Sequence, residues 1–267
     1  MTADLAGKDL DLIRAAALEA GALALDFLAR GDIQVTAKTG GSPVSNADLA
    51  VDALLKSRLL AARPDYGWLS EETVDDHSRL SARRTFVVDP IDGTRAFIKG
   101  RPSWAVSIAV VEAGAPVAGV VHAAAMAETY EAAAGSGARL NGQAITASGR
   151  ARLDGCALLA DPAMMRSPRW PEPWPQMQIE TRNSVAYRMV LVAAGAFDAT
   201  LALSAKCDWD IAAADLIARE AGAVVSDHQG GAFIYDQPSA RKRSLICAGE
   251  ALHPLILARC GHIELHA

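Results

Sequence analysis

Residues 86–94 read Phe-Val-Val-Asp-Pro-Ile-Asp-Gly-Thr, an apolar stretch ending in two carboxylates, Asp89 and Asp92, with Gly93 and Thr94 behind them. Pro90 sets its own φ and biases Asp89 towards an extended backbone, which holds that carboxylate at a strand end. Gly93 permits a bend and a close approach that a side chain would obstruct. Such a turn offers hard oxygen ligands to a cation and backbone donors to an anion, so it reads as a metal-plus-phosphate site. Magnesium suits it, because that ion takes a few rigid carboxylates, several waters and phosphate oxygens in preference to a full protein cage. The same residue types also build ordinary turns, so both readings stand for the turn taken alone.

Two other segments carry acids. Trp68-Leu69-Ser70-Glu71-Glu72 puts a carboxylate pair at the end of a short apolar stretch, a pattern that in isolation is a solvated loop. Asp208 to Gly222 reads as a helix, with acids in its first turn, small residues on one side and Gly222 where the helix should stop. Asp210 there fits an N-terminal cap or dipole partner as well as a ligand.

With Ser70-Glu71-Glu72, Asp89-Pro90-Ile91-Asp92-Gly93-Thr94 and Trp209-Asp210-Ile211-Ala212-Ala213 in this order, the chain resembles the inositol monophosphatase family of magnesium-dependent, lithium-inhibited phosphatases. Weaker matches, Gly137 to Gly142, Ser184 to Tyr187 and Gly195 to Asp198, help carry the likeness from about Lys38 to Gly249. The resemblance implies that Glu71, Asp89 and the carbonyl of Ile91 bind one Mg2+, and that Asp89, Asp92 and Asp210 share a second. Two-metal sites hold their ions about 3.5–4 Å apart and stabilise both oxygens of an in-line displacement. It also implies that Asp48 and Thr94 orient the attacking water near a third, weaker ion. Asp48 sits in Ser45-Asn46-Ala47-Asp48, which also looks like a capped helix start, and the two roles are compatible. Glu72 is expected behind the ligands, fixing their orientation. Phosphate oxygens are expected on the amides of Gly93 and Thr94 at a helix N-terminus.

Other residues must read the alcohol. Inositol-specific members carry a Glu seven residues before the helix-opening Asp; Leu203 stands there in this chain and cannot accept from a polyol. Lys38, Arg188 and Lys206 are the candidate substrate contacts, the last two as partners for a second phosphate. With Arg95 after the central motif, the texture is most similar to the bacterial 3′(2′),5′-bisphosphate nucleotidase branch. The expected substrate is therefore adenosine 3′,5′-bisphosphate, with inositol-1-phosphate and histidinol phosphate as alternatives. A non-catalytic binder of metal and phosphometabolites is expected to have lost one of Glu71, Asp89, Asp92, Thr94 or Asp210, and all are present.

The elements that position these residues follow from periodicity. Leu10, Ile13, Ala17, Ala20, Ala24 and Phe27 recur at three and four and predict an amphipathic helix; a second helix is expected over about 46–62. Lys38-Thr39-Gly40-Gly41-Ser42-Pro43 between them reads as a flexible linker placed to act as a lid. Strands are expected over 104–111, 116–122 and 128–134, with a tight turn at Asn141-Gly142. After Arg150 strands and helices alternate, ending in a helix near 250–260, so the reading is an α/β protein divided into 1–150 and 151–267. The resemblance implies a layered αβαβα sandwich with the metals between the halves. Residues 161–175 are too rich in proline for a regular helix or central strand, and Trp170 and Trp174 are expected to anchor that loop in preference to forming a wall for a base.

Composition narrows the class further. A formal net charge of −5 and 51% hydrophobic residues show no basic excess for a nucleic-acid polymer. Arg241-Lys242-Arg243 reads as a solvated loop. Four cysteines without Cys-x-x-Cys spacing fit a reduced, cytoplasmic protein, and the acidic N-terminal segment does not have the pattern of an export signal. Ala113 to Ala127, the longest uncharged stretch, is shorter than the ~20 residues a membrane helix needs. The expected partner is a small phosphate ester, and the family adds an expectation of homodimers.

Overall fold

The computed structural model describes residues 2–38, 41–168 and 170–265. The predicted N-terminal stripe becomes α1 (Thr2–Arg30), which buries Ile13, Ala16, Ala17, Ala20 and Ala24 with Leu10 and Phe27 at its edges. The second helix, α2 (Asn46–Ala62), starts at Ser45 in a capping box completed by Asp48. Between them the expected linker forms the loop of a hairpin. Strand β1 (Val35–Ala37) runs antiparallel to β2 (Pro43–Ser45), and the Lys38 amide donates to the Ser42 carbonyl at 2.8 Å. Pairing satisfies backbone groups that a free linker would leave to water. Thr39 and Gly40 of the expected lid lie outside the described residues.

A seven-stranded sheet follows, ordered as in the chain: β3 (Gly67–Ser70), β4 (Arg84–Asp92), β5 (Ala105–Glu112), β6 (Ala115–Ala123), β7 (Glu128–Ala133), β8 (Ala138–Leu140) and β9 (Gln143–Ala144). β3 is parallel to β4 and every other pair is antiparallel. Asn141 (φ 48°) and Gly142 (φ 80°) form the predicted turn between β8 and β9, both left-handed as a two-residue hairpin turn of type I′ requires. Alternation along β4 sends Phe86 and Val88 towards α1 and α2, and Val87 to the opposite face.

The remaining helices are α3 (Thr94–Phe97), α4 (Pro162–Met165), α5 (Val185–Ala193), α6 (Asp208–Glu220) and α7 (His253–Cys260). The remaining strands are β10 (Ala157–Leu159), β11 (Gln178–Glu180), β12 (Ala199–Ala202), β13 (Lys206–Cys207), β14 (Ala223–Ser226), β15 (Arg241–Lys242) and β16 (Leu245–Gly249). Five of them form a second sheet in the order β11-β10-β12-β16-β14, while β13 pairs with β15. α5 and α6 lie between the sheets: one core joins Val87, Ala109 and Val121 to Met189, Ile211 and Leu216, and these to Leu159, Val225 and Cys247. On the far face of the smaller sheet, Leu158, Leu201 and Ile246 meet Ile256 and Cys260 of α7. The layers therefore run helix, sheet, helix, sheet, helix, and the central core draws on residues from both sides of Arg150.

Gly119 lets α6 come close to the large sheet. A Cβ there would lie 2.8 Å from the carbonyl oxygen of Ala213, so the alanine-rich face of α6 packs directly on β6. Among its described residues the proline-rich segment forms only the single turn α4, capped by Asp161, and Trp170 and Trp174 pack edge-on with centroids 5.1 Å apart against the α7 side of the small sheet. All four cysteines are free. Among the described residues no helix is long and apolar enough to cross a membrane.

Candidate active site

Glu71 follows β3, Asp89 and Asp92 lie at the end of β4, and Asp210 is in the first turn of α6. Parallel pairing of Ser70 with Val88 puts Glu71 beside Asp89, and α6 packed on the sheet brings Asp210 to the same point. One oxygen from each of Glu71, Asp89 and Asp210 falls within 4.8 Å of the others. Asp92, Gly93 and Thr94 line the same cavity of about 360 Å³. The strand ends in the two carboxylates, as the sequence indicated. It passes from Asp89 to Asp92 through a register shift, with the Ile91 amide donating to Asp89 Oδ1 at 3.0 Å. Such an irregularity re-aims side chains without ending the strand.

Asp89, Asp92 and Asp210 are each held by a backbone or hydroxyl donor. Asp92 Oδ2 accepts from Ser184 Oγ at 2.6 Å and from the Ala186 amide at 2.7 Å, which ties the β4 rim to the start of α5. Asp210 Oδ2 accepts from the Cys207 amide at 2.7 Å, so it also performs the capping role that the sequence left open. Asp48 completes the expected capping box and also meets Thr94. Its Oδ2 accepts from the Ser45 amide at 2.8 Å, and its Oδ1 accepts from Thr94 Oγ1 at 2.9 Å. The Ile91 carbonyl lies 3.2 Å from that same hydroxyl. Gly93 begins α3 at φ 96°, and a Cβ there would meet Ser103 O at 3.0 Å and Ser184 N at 3.1 Å, so both conformation and space favour glycine.

Glu72 and Lys38 form a unit with Glu71. Lys38 Nζ lies 2.7 Å from Glu71 Oε1 and 2.7 Å from Glu72 Oε1, so the lysine meets the acids instead of facing an open substrate cavity. The hairpin whose loop is the linker aims it there. Ser70 Oγ donates to Asp52 Oδ1 at 2.5 Å and Thr73 Oγ1 to Asp52 Oδ2 at 2.9 Å, fixing the turn that carries Glu71 and Glu72. Lys206 turns back on its own loop, donating to the Ser204 and Ala205 carbonyls at 3.0 Å each. Leu203 packs on the α7 side beside Trp170 and Met164, so it does not occupy the position from which a polyol would be read. Arg188 does line the acidic cavity, as expected, together with Arg95, Arg182 and Asn183. The last two are not distinguished by the sequence reading; the only local signal there is Ser184, which caps α5.

Burial and mutual repulsion push this cluster towards its neutral form. Burial, then the charges of Glu71, Asp92 and Asp210, hold the Asp89 carboxyl well above the usual range. Burial raises Asp92 to about 6 against its Ser184 and Ala186 bonds, and burial with the nearby Asp92 raises Asp210 to about 7. Burial likewise raises Glu72 to about 7, opposed by Lys38. A set of hard oxygen donors short of positive charge fits Mg2+.

The sign of the pH dependence follows. Between the ordinary carboxyl value of 3.8 and about 7, the folded metal-free chain binds protons on these acids that the unfolded chain releases. Their contribution to stability therefore falls as pH rises through that window. In chelator, the Tm is expected to be roughly 5 °C higher at pH 5.5 than at pH 8, and Mg2+ at pH 8 is expected to recover the difference. Thermal melts check this, and a flat profile would show that the carboxylates are not crowded in solution.

The comparisons with known proteins agree with this geometry. The model of the inositol monophosphatase family matches residues 9–264. The chain is 33% identical over 261 residues to the histidinol-phosphatase of Chlorobaculum parvum, covering 96% of this chain and 98% of that one. It is 36% identical over 249 residues to the inositol-1-monophosphatase of Mesorhizobium japonicum, covering 86% and 89%. The structure of the Thermotoga maritima IMPase superposes with a TM-score of 0.82 at 28% identity, covering 95% and 96%. An acid cluster on this scaffold, matched along nearly the whole chain, makes the protein a phosphoric monoester hydrolase belonging to the Mg2+-dependent inositol monophosphatase family.

Proposed function

We propose that this chain hydrolyses a small phosphate ester carrying a second anionic group, with adenosine 3′,5′-bisphosphate as the lead substrate. The observation that carries the phosphatase chemistry is the convergence of Glu71, Asp89 and Asp210 within 4.8 Å, beside the Thr94–Asp48 pair. Glu71, Asp89, Asp92, Asp210 and the Ile91 carbonyl would hold the two or three Mg2+ ions, each half of the chain, 1–150 and 151–267, supplying part of the set. When bound, Mg2+ supplies charge neutralisation at the phosphoryl oxygens and lowers the pKa of water. The protein residues do the rest. Asp48, raised by burial, accepts a hydrogen bond from Thr94 and so leaves the hydroxyl oxygen turned to accept a hydrogen bond from an incoming water; as that water attacks, its proton would pass to Thr94 Oγ1 while the Thr94 proton passes to the Asp48 carboxylate. The Gly93 and Thr94 amides at the α3 start receive phosphate oxygens. Glu72 and Lys38 fix Glu71.

Arg188 supports the second anion. Its Nε is buried and has no acceptor among the described residues, while its Nη2 reaches only the Asn183 carbonyl at 3.3 Å. An unsatisfied guanidinium facing the cavity is poised for a charged acceptor, for which its forked donors are suited. Arg95 and Arg182 at the same cavity make a cationic alcohol such as histidinol a poorer fit than an anionic one. Phosphate release from adenosine 3′,5′-bisphosphate, inositol-1-phosphate and histidinol phosphate, with Mg2+ and then with Li+, ranks the readings. The bisphosphate is expected to show the highest kcat/KM. A preference for either other ester overturns the substrate assignment, and no turnover of any leaves a non-catalytic binder.

A further inference from the structure

A run of buried charge under α6 takes no part in the chemistry above. Asp208, wholly buried in the first turn of α6, stands two residues before Asp210. Its Oδ1 lies 2.5 Å from Lys242 Nζ, and its Oδ2 accepts from the Asp236 amide at 2.9 Å. The Asp236 carboxylate in turn pairs with Arg79 and accepts from Thr85 Oγ1 at 2.8 Å. Arg79 is buried, and its Nη2 also donates to Asp75 Oδ2 and to the Gln237 carbonyl, each at 2.9 Å. Asp236 holds all this together from a left-handed backbone, φ 56°. A non-glycine residue in that region costs energy and persists where its surroundings over-determine it.

The network ties together the segments that deliver the acids. Asp75 and Arg79 lie shortly after Glu71, Thr85 is four residues before Asp89 on the same strand, and Asp208 shares a helical turn with Asp210. The start of α6 is also held by the two-residue pairing of β13 with β15, the Asp208 amide bond to the Ala240 carbonyl, the Ser107 hydroxyl donating to the Trp209 carbonyl at 3.2 Å, and the packing of Trp209 and Ile211 on the central core. Buried charges are a costly way to gain stability alone, and their better-attested use is to select one arrangement.

We propose that Asp208, held by Lys242 and Asp236, is a positioning residue that sets Asp210 against Glu71 and Asp89 and thereby sets the affinity for Mg2+. This rests on the metal reading above. Partners behind metal ligands are typically worth about 10–100-fold in affinity.

The test titrates Mg2+ into the metal-free protein by calorimetry, without substrate, for the wild type, Asp210→Asn, Lys242→Arg and the double variant Asp208→Asn/Lys242→Gln. The double variant removes both charges together and leaves no lone buried ion. It is expected to bind Mg2+ about tenfold more weakly, with the half-saturating Mg2+ for hydrolysis raised by the same factor and kcat at saturating Mg2+ little changed. Lys242→Arg is expected to keep the wild-type affinity. Should the double variant not fold, Asp208→Glu, which keeps the pair but lengthens the tether, is expected to show the same loss. Unchanged affinity in the double variant, or in Asp208→Glu where that replaces it, with only a lowered Tm, would overturn the positioning role. If Asp210→Asn binds Mg2+ as well as the wild type, the metal assignment fails first, and the positioning role with it.

Discussion

Asp89→Asn is expected to lower kcat on every substrate by roughly 10³-fold or more, a loss comparable to removing a donor aimed at developing charge. The same change is expected to raise the Tm of the metal-free protein. Both effects come from one carboxylate. In the folded chain Asp89 is buried against Glu71, Asp92 and Asp210, so its charge is a liability until a cation is present. Asparagine keeps an oxygen to accept from the Ile91 amide, now at 3.0 Å, and so keeps the local backbone. What it removes is the negative charge that the ion requires. Steady-state kinetics and thermal melts in chelator read the two effects separately. A variant that is inactive but less stable would indicate a misfolded rim and would not support the assignment of Asp89 as a ligand.

Arg188→Met is expected to lower kcat/KM for adenosine 3′,5′-bisphosphate on the order of 10²-fold, the worth of a charged hydrogen bond. For adenosine 3′-monophosphate, which lacks the second phosphate, the loss is expected to be far smaller. Methionine retains the apolar stem that packs along α5. The ratio between the substrates is the informative quantity, because the Arg188 charge also offsets Asp92 and Asp210 and its removal weakens metal binding for both esters alike. Equal losses on the two would place Arg188 in support of the metal cluster and remove it from substrate recognition.

The parts of the site that were legible in the sequence are those encoded locally. Pro90 and Gly93 constrain the backbone of their own turn, and Ser45 with Asp48 closes a capping box across three residue steps. The α1 stripe and the Asn141-Gly142 turn likewise depend on neighbours a few residues away. Lys38, Leu203 and Lys206 illustrate the opposite case. Each sits in or beside a short connection, where nothing periodic aims the side chain. Lys38 reaches the acids because β1 pairs with β2, and Leu203 turns to the α7 layer because β12 ends against that core.

Asp210 shows the same division within one residue. Its capping bond to Cys207 is local and readable, whereas its approach to Glu71 and Asp89 depends on α6 lying on Gly119 and on buried ion pairs from residues 75–85 and 236–242. By itself, the sequence determined which residues are candidates for the chemistry, through their types and order, and how each one's own turn or cap is shaped, through steric and hydrogen-bonding preferences over a few bonds. Only the tertiary structure decided which of them share a cavity, which lysines are spent on acids and where the arginines face. Those outcomes depend on contacts between segments distant along the chain, 33 residues apart for Lys38 and Glu71 and 157 for Arg79 and Asp236.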